Sequence, residues 1–533
     1  MATPVTNSVS STGDPLIDGL HQGSSWQNLG ATPTITYSLW DNGLGNWTSE
    51  RAALVDFAFG LWEAVIDVSF ERVAPEGATA HNNPSDISII FASPSLFQGA
   101  PNAPAMSMYP DSVATDAFFN SIGADPSDFP TAEGDIYINS DNPEVVFNEP
   151  GSVGFQRLMQ EIGSAIGLKD PGASDGSFGT YASLGVGQFD SAAVTVMSNN
   201  TVSDTDAAGQ PATLMMLDID AAQSIYGANP SHNPGDDVYP LTTAGIVGTI
   251  WETGGFDFIS AQGQTGSWTI SLLQGGVSTS TGNPLSAYNA VVIAEGVEIE
   301  AAIGSSQNDN ITGNELNNFA WGLSGDDSVA GGDGDDRLFG NPGDDILIGG
   351  DGDDTIRAHT NDDTLTGGDG DDNLFGGGNN DFLNGMAGND QVNGNSGADT
   401  VLGEAGNDTL RGQGAADHIE GGAGNDLIVG HAGADTMFGG DGTDTLIGGP
   451  ANDVLNGGAG PDTFVFGDDQ ALDTIQDYEA GIDTITVTAD SVGDLVVQSG
   501  PDGAVVTWGA LTTVIVFSNL APGDIDFGDF LFV

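Results

Sequence analysis

Between Gly304 and Val465 the chain repeats every nine residues without an insertion or deletion. The result is eighteen consecutive nonapeptides of the form G-G-x-G-x-D-x-U-x, where U is a bulky apolar residue. The first position is Gly in seventeen of them, with Ala358 as the exception, and the eighth is Leu, Ile, Val, Met or Phe everywhere except Ala320. The sixth is Asp in seventeen: Asp309, Asp327, Asp336, Asp345, Asp354, Asp363, Asp372, Asp381, Asp390, Asp399, Asp408, Asp417, Asp426, Asp435, Asp444, Asp453 and Asp462, with Asn318 in the remaining one. Few architectures can satisfy such a pattern.

Each residue type in the repeat has a physical role. The glycines permit positive φ and close backbone approach in a tight turn. The Asp supplies a hard oxygen ligand and the turn carbonyls supply more, a donor set suited to Ca²⁺. The triplet x-U-x is a strand too short to stand alone, so its inward side chain must stack on neighbours. Two repeats close one turn of a parallel β-roll, giving nine turns for eighteen repeats. An ion between each repeat and the one two further on sets a ceiling of sixteen calcium sites. The fourth position departs from Gly at Gln307, Leu316, Asn361, Asn379, Ala415 and Ala451, which are expected to mark weaker or missing sites. Without calcium the same acidic, Gly-rich stretch reads as disordered.

Composition points the same way. Seven basic residues stand against 76 acidic ones, a formal net charge of −69. Nucleic acid and anionic membranes are poor partners for such a chain, because both are bound by displacing counterions with positive charge. Packed carboxylates repel one another, so folding is expected to be coupled to calcium by mass action. Cysteine is absent, leaving calcium rather than disulfides to hold an exported fold together. Residues from Met1 to Leu16 show no basic n-region and no apolar h-region, and no stretch reaches the apolar length of a transmembrane helix. The final residues Asp529-Phe530-Leu531-Phe532-Val533, an acid followed by four apolar residues, resemble the uncleaved C-terminal signal of proteins exported through a type I secretion channel. They also read as a closing strand, and the two readings can coexist.

The expected organisation is a polar arm over residues 1–30, a mixed α and β domain over 31–235, a β connector over 236–303, the roll over 304–465 and a β-rich cap over 466–533. Thr34 to Leu39, Asp86 to Phe91 and Asp135 to Asn139 read as strands. Apolar stripes at helical spacing run from Ala53 to Val68 and from Val153 to Gly167, and a third helix is expected near Asp218 to Tyr226.

This order of domains resembles the serralysins, secreted zinc metalloproteases of the metzincin group. Four stretches carry the resemblance: Gly134-Asp135-Ile136-Tyr137-Ile138-Asn139, Val196-Met197-Ser198 at the Met-turn, Leu217-Asp218-Ile219-Asp220-Ala221-Ala222 through Tyr226-Gly227-Ala228-Asn229, and Trp251-Glu252-Thr253-Gly254-Gly255. The resemblance implies an α+β metzincin-like N-terminal domain, an all-β parallel β-roll and a β-rich C-terminal cap.

The departure falls where the chemistry should be. The family pattern H-E-x-x-H-x-x-G-x-x-H aligns with the eleven residues from Gln160 to Asp170. Gly167 and the general-base position, Glu161, are retained, whereas the three zinc-binding histidines are replaced by Gln160, Ser164 and Asp170. Positions 160 and 164 share one helical face, so two imidazoles there could clasp one ion; an amide and a hydroxyl are far poorer zinc donors. The tyrosine that follows the family's Met-turn methionine is replaced by Asn199, while Met197 reads as a packing residue. The six histidines, His21, His81, His232, His359, His418 and His431, include no pair at helical spacing. Zinc is therefore expected to be absent, with Glu161 a vestigial base.

Three functions follow. The first is a secreted, calcium-binding pseudoprotease that binds a peptide, a protein or a surface or matrix component; in this reading a peptide could add as a strand along the cleft beside Asp135 to Asn139. The second is an active zinc endopeptidase with an atypical metal site. The third is a structural, layer-forming surface protein.

Overall fold

The computed structural model describes residues 34–40, 47–66, 68–73, 87–92, 105–107, 136–139, 153–166, 168, 218–219, 222–223, 232–241, 247–280, 290–467, 471–487, 496–500, 503–508, 513–520, 525 and 530–532. The chain divides into two compact units, residues 1–255 with 274–298 and residues 256–273 with 299–533. The stretch 236–303, expected as a connector, is thus divided between them.

The first unit is built on a five-stranded sheet. Its strands are β1 (Thr34–Trp40), β2 (Ser69–Arg72), β3 (Ile87–Ala92), β4 (Ala105–Ser107) and β5 (Ile136–Asn139), in the order β2-β1-β3-β5-β4. All neighbours are parallel except β4, which runs antiparallel to β5. Helix α1 (Ser49–Val65) starts where the Thr48 hydroxyl accepts the Arg51 N–H at 3.2 Å, an N-cap that satisfies one of the orphan donors of the first turn. It buries Val55, Ala58, Phe59 and Trp62. Phe59 stacks on Tyr37 of β1 with ring centroids 4.0 Å apart. Tyr37 in turn donates to Asp56 at 2.7 Å, and Arg72 pairs with the same carboxylate at 3.0 Å. Burial, followed by the neighbouring Asp56, pushes the Tyr37 hydroxyl above its ordinary pKa. Helix α2 (Val153–Ala165) buries Phe155, Leu158, Met159 and Ile162 completely. Helical backbone also occurs at Asp218, Ile219, Ala222 and Gln223, where the third helix was expected, and Gln223 Nε2 donates to the Val65 carbonyl at 2.9 Å.

The second unit winds as a parallel β-solenoid. Consecutive nonapeptides alternate between two sheets. The back sheet takes the strands Asn310–Thr312, Ser328–Asp333, Ile346–Asp351, Thr364–Asp369, Phe382–Ala387, Thr400–Ala405, His418–Gly424, Thr436–Gly442 and Val454–Ala459. The front sheet takes Phe319–Trp321, Arg337–Pro342, Thr355–Thr360, Asn373–Gly378, Gln391–Ser396, Thr409–Gly414, Leu427–Ala432, Thr445–Ile447 and Thr463–Phe466. Each residue pairs with the one eighteen further on, as Leu338 does with Ile356 and Leu347 with Leu365. Two nonapeptides per turn is the expected winding, and eighteen of them make nine turns.

The core is the stack of eighth-position side chains. From Ile311 to Phe464 every one is at most 2% exposed. A full Val, Leu or Ile burial is worth about 1.5–3 kcal/mol, so these two rows, one on each sheet, are the main apolar term holding adjacent turns together. Non-repeat strands prolong the solenoid at both ends. Trp268–Ser271 pairs with Asn310–Thr312, and Ala301–Ile303 lies between Phe258–Ser260 and Phe319–Trp321. At the other end Leu472–Ile475 continues the back sheet and Thr484–Val487 the front sheet. Phe530–Phe532, from the apolar C-terminal run, adds to Thr484–Val487 as a parallel strand. The closing-strand reading of that run is therefore realised.

Candidate metal centres

The sixth-position aspartates form a continuous buried ladder. The backbone N–H of each donates to Oδ1 of the aspartate one turn later, as in Asp327 to Asp345, Asp336 to Asp354 and Asp345 to Asp363, each at 2.8 Å. The second oxygen is different. In fourteen of them, from Asp327 to Asp444, Oδ2 is buried without a hydrogen-bond partner. A buried carboxylate oxygen left without a donor costs on the order of 1–3 kcal/mol, more when charged. The first-position glycine opens the space around it: a Cβ on Gly331 would lie 1.9 Å from Asp336 Oδ2, and one on Gly367 would lie 2.2 Å from Asp372 Oδ2.

These carboxyls are poorly suited to ionise alone. Burial, reinforced by the carboxylates one turn away, pushes Asp363 and Asp372 up to about 8. The same causes bring Asp327, Asp336, Asp381 and Asp417 to about 7. A buried, orphaned, all-oxygen donor set fits Ca²⁺, a hard cation, better than zinc or copper, which favour imidazole and thiolate. When bound, calcium supplies the positive charge that lets these carboxylates ionise inside the fold.

Three refinements to the sequence pattern emerge. First, Asp309 is not like its successors: Oδ1 accepts the Trp268 N–H at 2.6 Å and Oδ2 accepts from Ser305, so both oxygens already have protein donors. Asn318, on the next rung, has its Oδ1 taken by the Asn314 N–H at 2.8 Å. These are the repeats whose fourth positions are Gln307 and Leu316. Second, the other degenerate fourth positions, Asn361, Asn379, Ala415 and Ala451, keep the left-handed backbone a glycine would take, with φ of 90, 81, 70 and 100°. The ladder passes through their repeats unbroken, with Asp363, Asp381 and Asp417 bonded to the next rung at 2.9, 2.8 and 2.9 Å. Third, the ladder does not stop at Asp462. The Asp453 N–H donates to Asp473 Oδ1 and the Asp462 N–H to Asp483 Oδ1, both at 3.0 Å. Asp473 and Asp483 are buried and lie outside the nine-residue period, at spacings of 20 and 21, so periodicity missed them.

Helix α2 carries the other candidate site. Gln160, Glu161 and Ser164 are all buried, at 6, 4 and 8% exposure. The helix therefore brings three of the four site positions together in a closed environment. Arg157, one turn earlier, fastens two of them: its Nη1 donates to Gln160 Oε1 at 2.6 Å and its Nε lies 2.9 Å from Glu161 Oε1. The spacings i,i+3 and i,i+4 place all three on one helix face. Arg157 escaped the sequence reading, although one of only seven basic residues in such an acidic chain is a signal in itself. Asp170, Met197, Asn199, Gly167, His21 and His81 lie outside the described residues. The strand Ile136–Asn139 is β5, paired with β3 on one side and β4 on the other. The sheet edge beside it is Ala105–Ser107.

The RTX calcium-binding nonapeptide repeat family matches in overlapping segments between residues 303 and 470. The chain is 35% identical over 185 residues to a serralysin of Photorhabdus laumondii, covering 31% of this chain and 38% of that protein. It is 34% identical over 190 residues to the metalloprotease AprA of Pseudomonas entomophila, covering 32% and 38%. It is 30% identical over 282 residues to a serralysin of Proteus mirabilis, covering 48% and 52%. The chain spans between two fifths and about half the length of these relatives. The β-roll thus carries RTX calcium-binding nonapeptide repeats, and the chain is similar to the serralysins over about a third to a half of its length.

Proposed function

We propose that this is a secreted, calcium-loaded RTX protein whose serralysin-like domain binds without cleaving. The observation that carries the reading is the Arg157–Glu161 pair within a helix that lacks its histidines. A hydrolytic base must present a carboxylate oxygen to water, and here Glu161 Oε1 is held by a guanidinium in a buried setting. Gln160 and Ser164 offer an amide and a hydroxyl where neutral imidazoles would ligate zinc. The buried residues of α2 serve packing and charge neutralisation instead.

Secretion is supported by the kinship with serralysins and by the logic of the ladder. A roll that must ionise many buried aspartates stays loose where calcium is scarce and closes where it is millimolar. Export through a type I channel would deliver the chain unfolded to the compartment that folds it. Removing residues 529–533 should leave the protein inside the cell; efficient export of that truncation would dismiss the signal.

The catalytic question is tested directly. The purified, calcium-loaded protein should leave casein intact and contain no stoichiometric zinc by metal analysis. Chelator-sensitive casein cleavage that Glu161→Gln abolishes would restore the enzyme reading.

A further inference from the structure

The two faces of the roll differ in charge. The six consecutive front strands from Arg337–Pro342 to Leu427–Ala432 contain no Asp or Glu. They carry Arg337, Arg357 and Arg411, three of the seven basic residues in a chain of net charge −69. The seven back strands from Ser328–Asp333 to Thr436–Gly442 contain no Lys or Arg and carry Asp333, Asp351, Asp369, Glu404, Glu420 and Asp441. Among the described residues none of the three arginines pairs with a carboxylate.

The front residues are also in register. Trp321, Phe339, Arg357, Phe375, Asn393 and Arg411 are successive partners along one row. Trp321 and Phe339 stack with centroids 5.5 Å apart, and the Arg337 and Arg357 guanidiniums lie 5.0 Å from the ring centroids of Phe319 and Phe375. Beside this row runs a second: Asn341, His359, Gly377, Asn395, Gln413 and His431. Gly377 lacks a side chain between its tall neighbours, and there a cavity of about 360 Å³ opens, lined by Arg357, His359, Phe375, Gly376, Gly377 and Asn395.

We infer that this face is a binding surface for an acidic polysaccharide, one whose sugar rings carry carboxylates. A guanidinium presents a planar fork that matches a carboxylate, and aromatic faces accept the apolar face of a pyranose. The amides of Asn393, Asn395 and Gln413 are donors and acceptors for hydroxyls. The cavity has the volume of a single small ligand unit, and parallel strands about 4.8 Å apart give a linear polymer a repeating track. Arg357 and Arg411, three strands apart, are separated by roughly 14 Å. So sparse a row suits a glycan with spaced carboxylates. It suits nucleic acid poorly, whose dense phosphates would meet the acidic turns at both edges of the sheet. Calcium in those turns lowers the repulsion, so the face operates in the loaded roll.

The test uses the full chain in millimolar calcium, with hyaluronan as the probe and dextran as its neutral counterpart, read by affinity electrophoresis or calorimetry. Hyaluronan should bind and dextran should not. Arg357→Ala with Arg411→Ala should weaken binding roughly 10- to 100-fold, the range for losing charged hydrogen bonds. Phe375→Ala should also weaken it, whereas Ile348→Thr on the back sheet should bind as the parent does. Circular dichroism in calcium confirms that each variant is folded, and if the double variant is not, Phe375→Ala and His359→Ala read the same surface. No binding of hyaluronan, equal binding of dextran, stronger retention of single-stranded DNA, or unchanged affinity in the folded front-face variants would each overturn the assignment.

Discussion

Asp483 accepts the backbone N–H of Asp462 at 3.0 Å across 21 residues, although it belongs to no nonapeptide. The cap therefore does more than cover the last apolar side chain. It supplies the acceptor that the final repeat would otherwise lack, which is how a stacked array ends without an orphaned rung. Asp473 does the same for Asp453 on the other sheet.

Asp483→Ala should accordingly destabilise the C-terminal turns by about 1–3 kcal/mol, the cost of a buried donor left unpaired. Asp483→Asn keeps an Oδ1 acceptor and should lose less. Thermal unfolding in calcium would separate the two, and equal midpoints for Asp483→Ala and the parent would refute the capping role.

Calcium-free protein should respond to acid in the direction opposite to most proteins. The ladder carboxyls have folded pKa values raised from the ordinary 3.8 to about 6 at Asp345 and about 8 at Asp363, chiefly through burial. A raised value means the fold favours the protonated form. That stabilisation is complete below the unfolded value and is lost as pH climbs through about 6 to 8. In chelator, β-structure should therefore increase as pH falls from 8 towards 5, whereas in millimolar calcium the signal should stay flat. Loss of β-structure on mild acidification of the calcium-free protein would contradict this.

The first-position glycines should be intolerant of side chains where the ladder is tight. Gly331→Ala would place a Cβ 1.9 Å from Asp336 Oδ2, forcing the carboxylate away. Overpacking of this kind costs about 1–3 kcal/mol, and a calcium titration should lose one site. Ala358→Gly, at the one repeat that already breaks the rule, should move stability the other way. An unchanged calcium stoichiometry in Gly331→Ala would remove the link between this glycine and the ion.

Arg157→Ala should strand the buried Glu161 carboxylate. Only the carboxylate is fully buried, so losing its partly exposed partner costs about 1–3 kcal/mol, whereas Arg157→Ala combined with Glu161→Gln should recover much of it. Denaturant unfolding of the single and double variants measures the coupling, and additive effects would show that the pair is not an energetic unit.

Much of this protein was legible in its sequence because a solenoid is nearly one-dimensional. A nine-residue period fixes which side chain faces inward, which aspartate follows which and how many repeats close a turn, since contacts run to the next turn at constant spacing. That Gln160, Ser164 and Asp170, and no histidine, stand at these positions was equally a matter of reading letters. Tertiary structure decided the rest. Asp473 and Asp483 join the ladder at spacings of 20 and 21, and Trp268 closes it from 41 residues before Asp309; no local period reaches such partners. The front row of Trp321, Phe339, Arg357, Phe375 and Arg411 is scattered along the chain and assembles only when alternate repeats are sorted onto opposite sheets. Winding turns periodicity into two surfaces, and only the folded chain shows that the scarce cations share one of them.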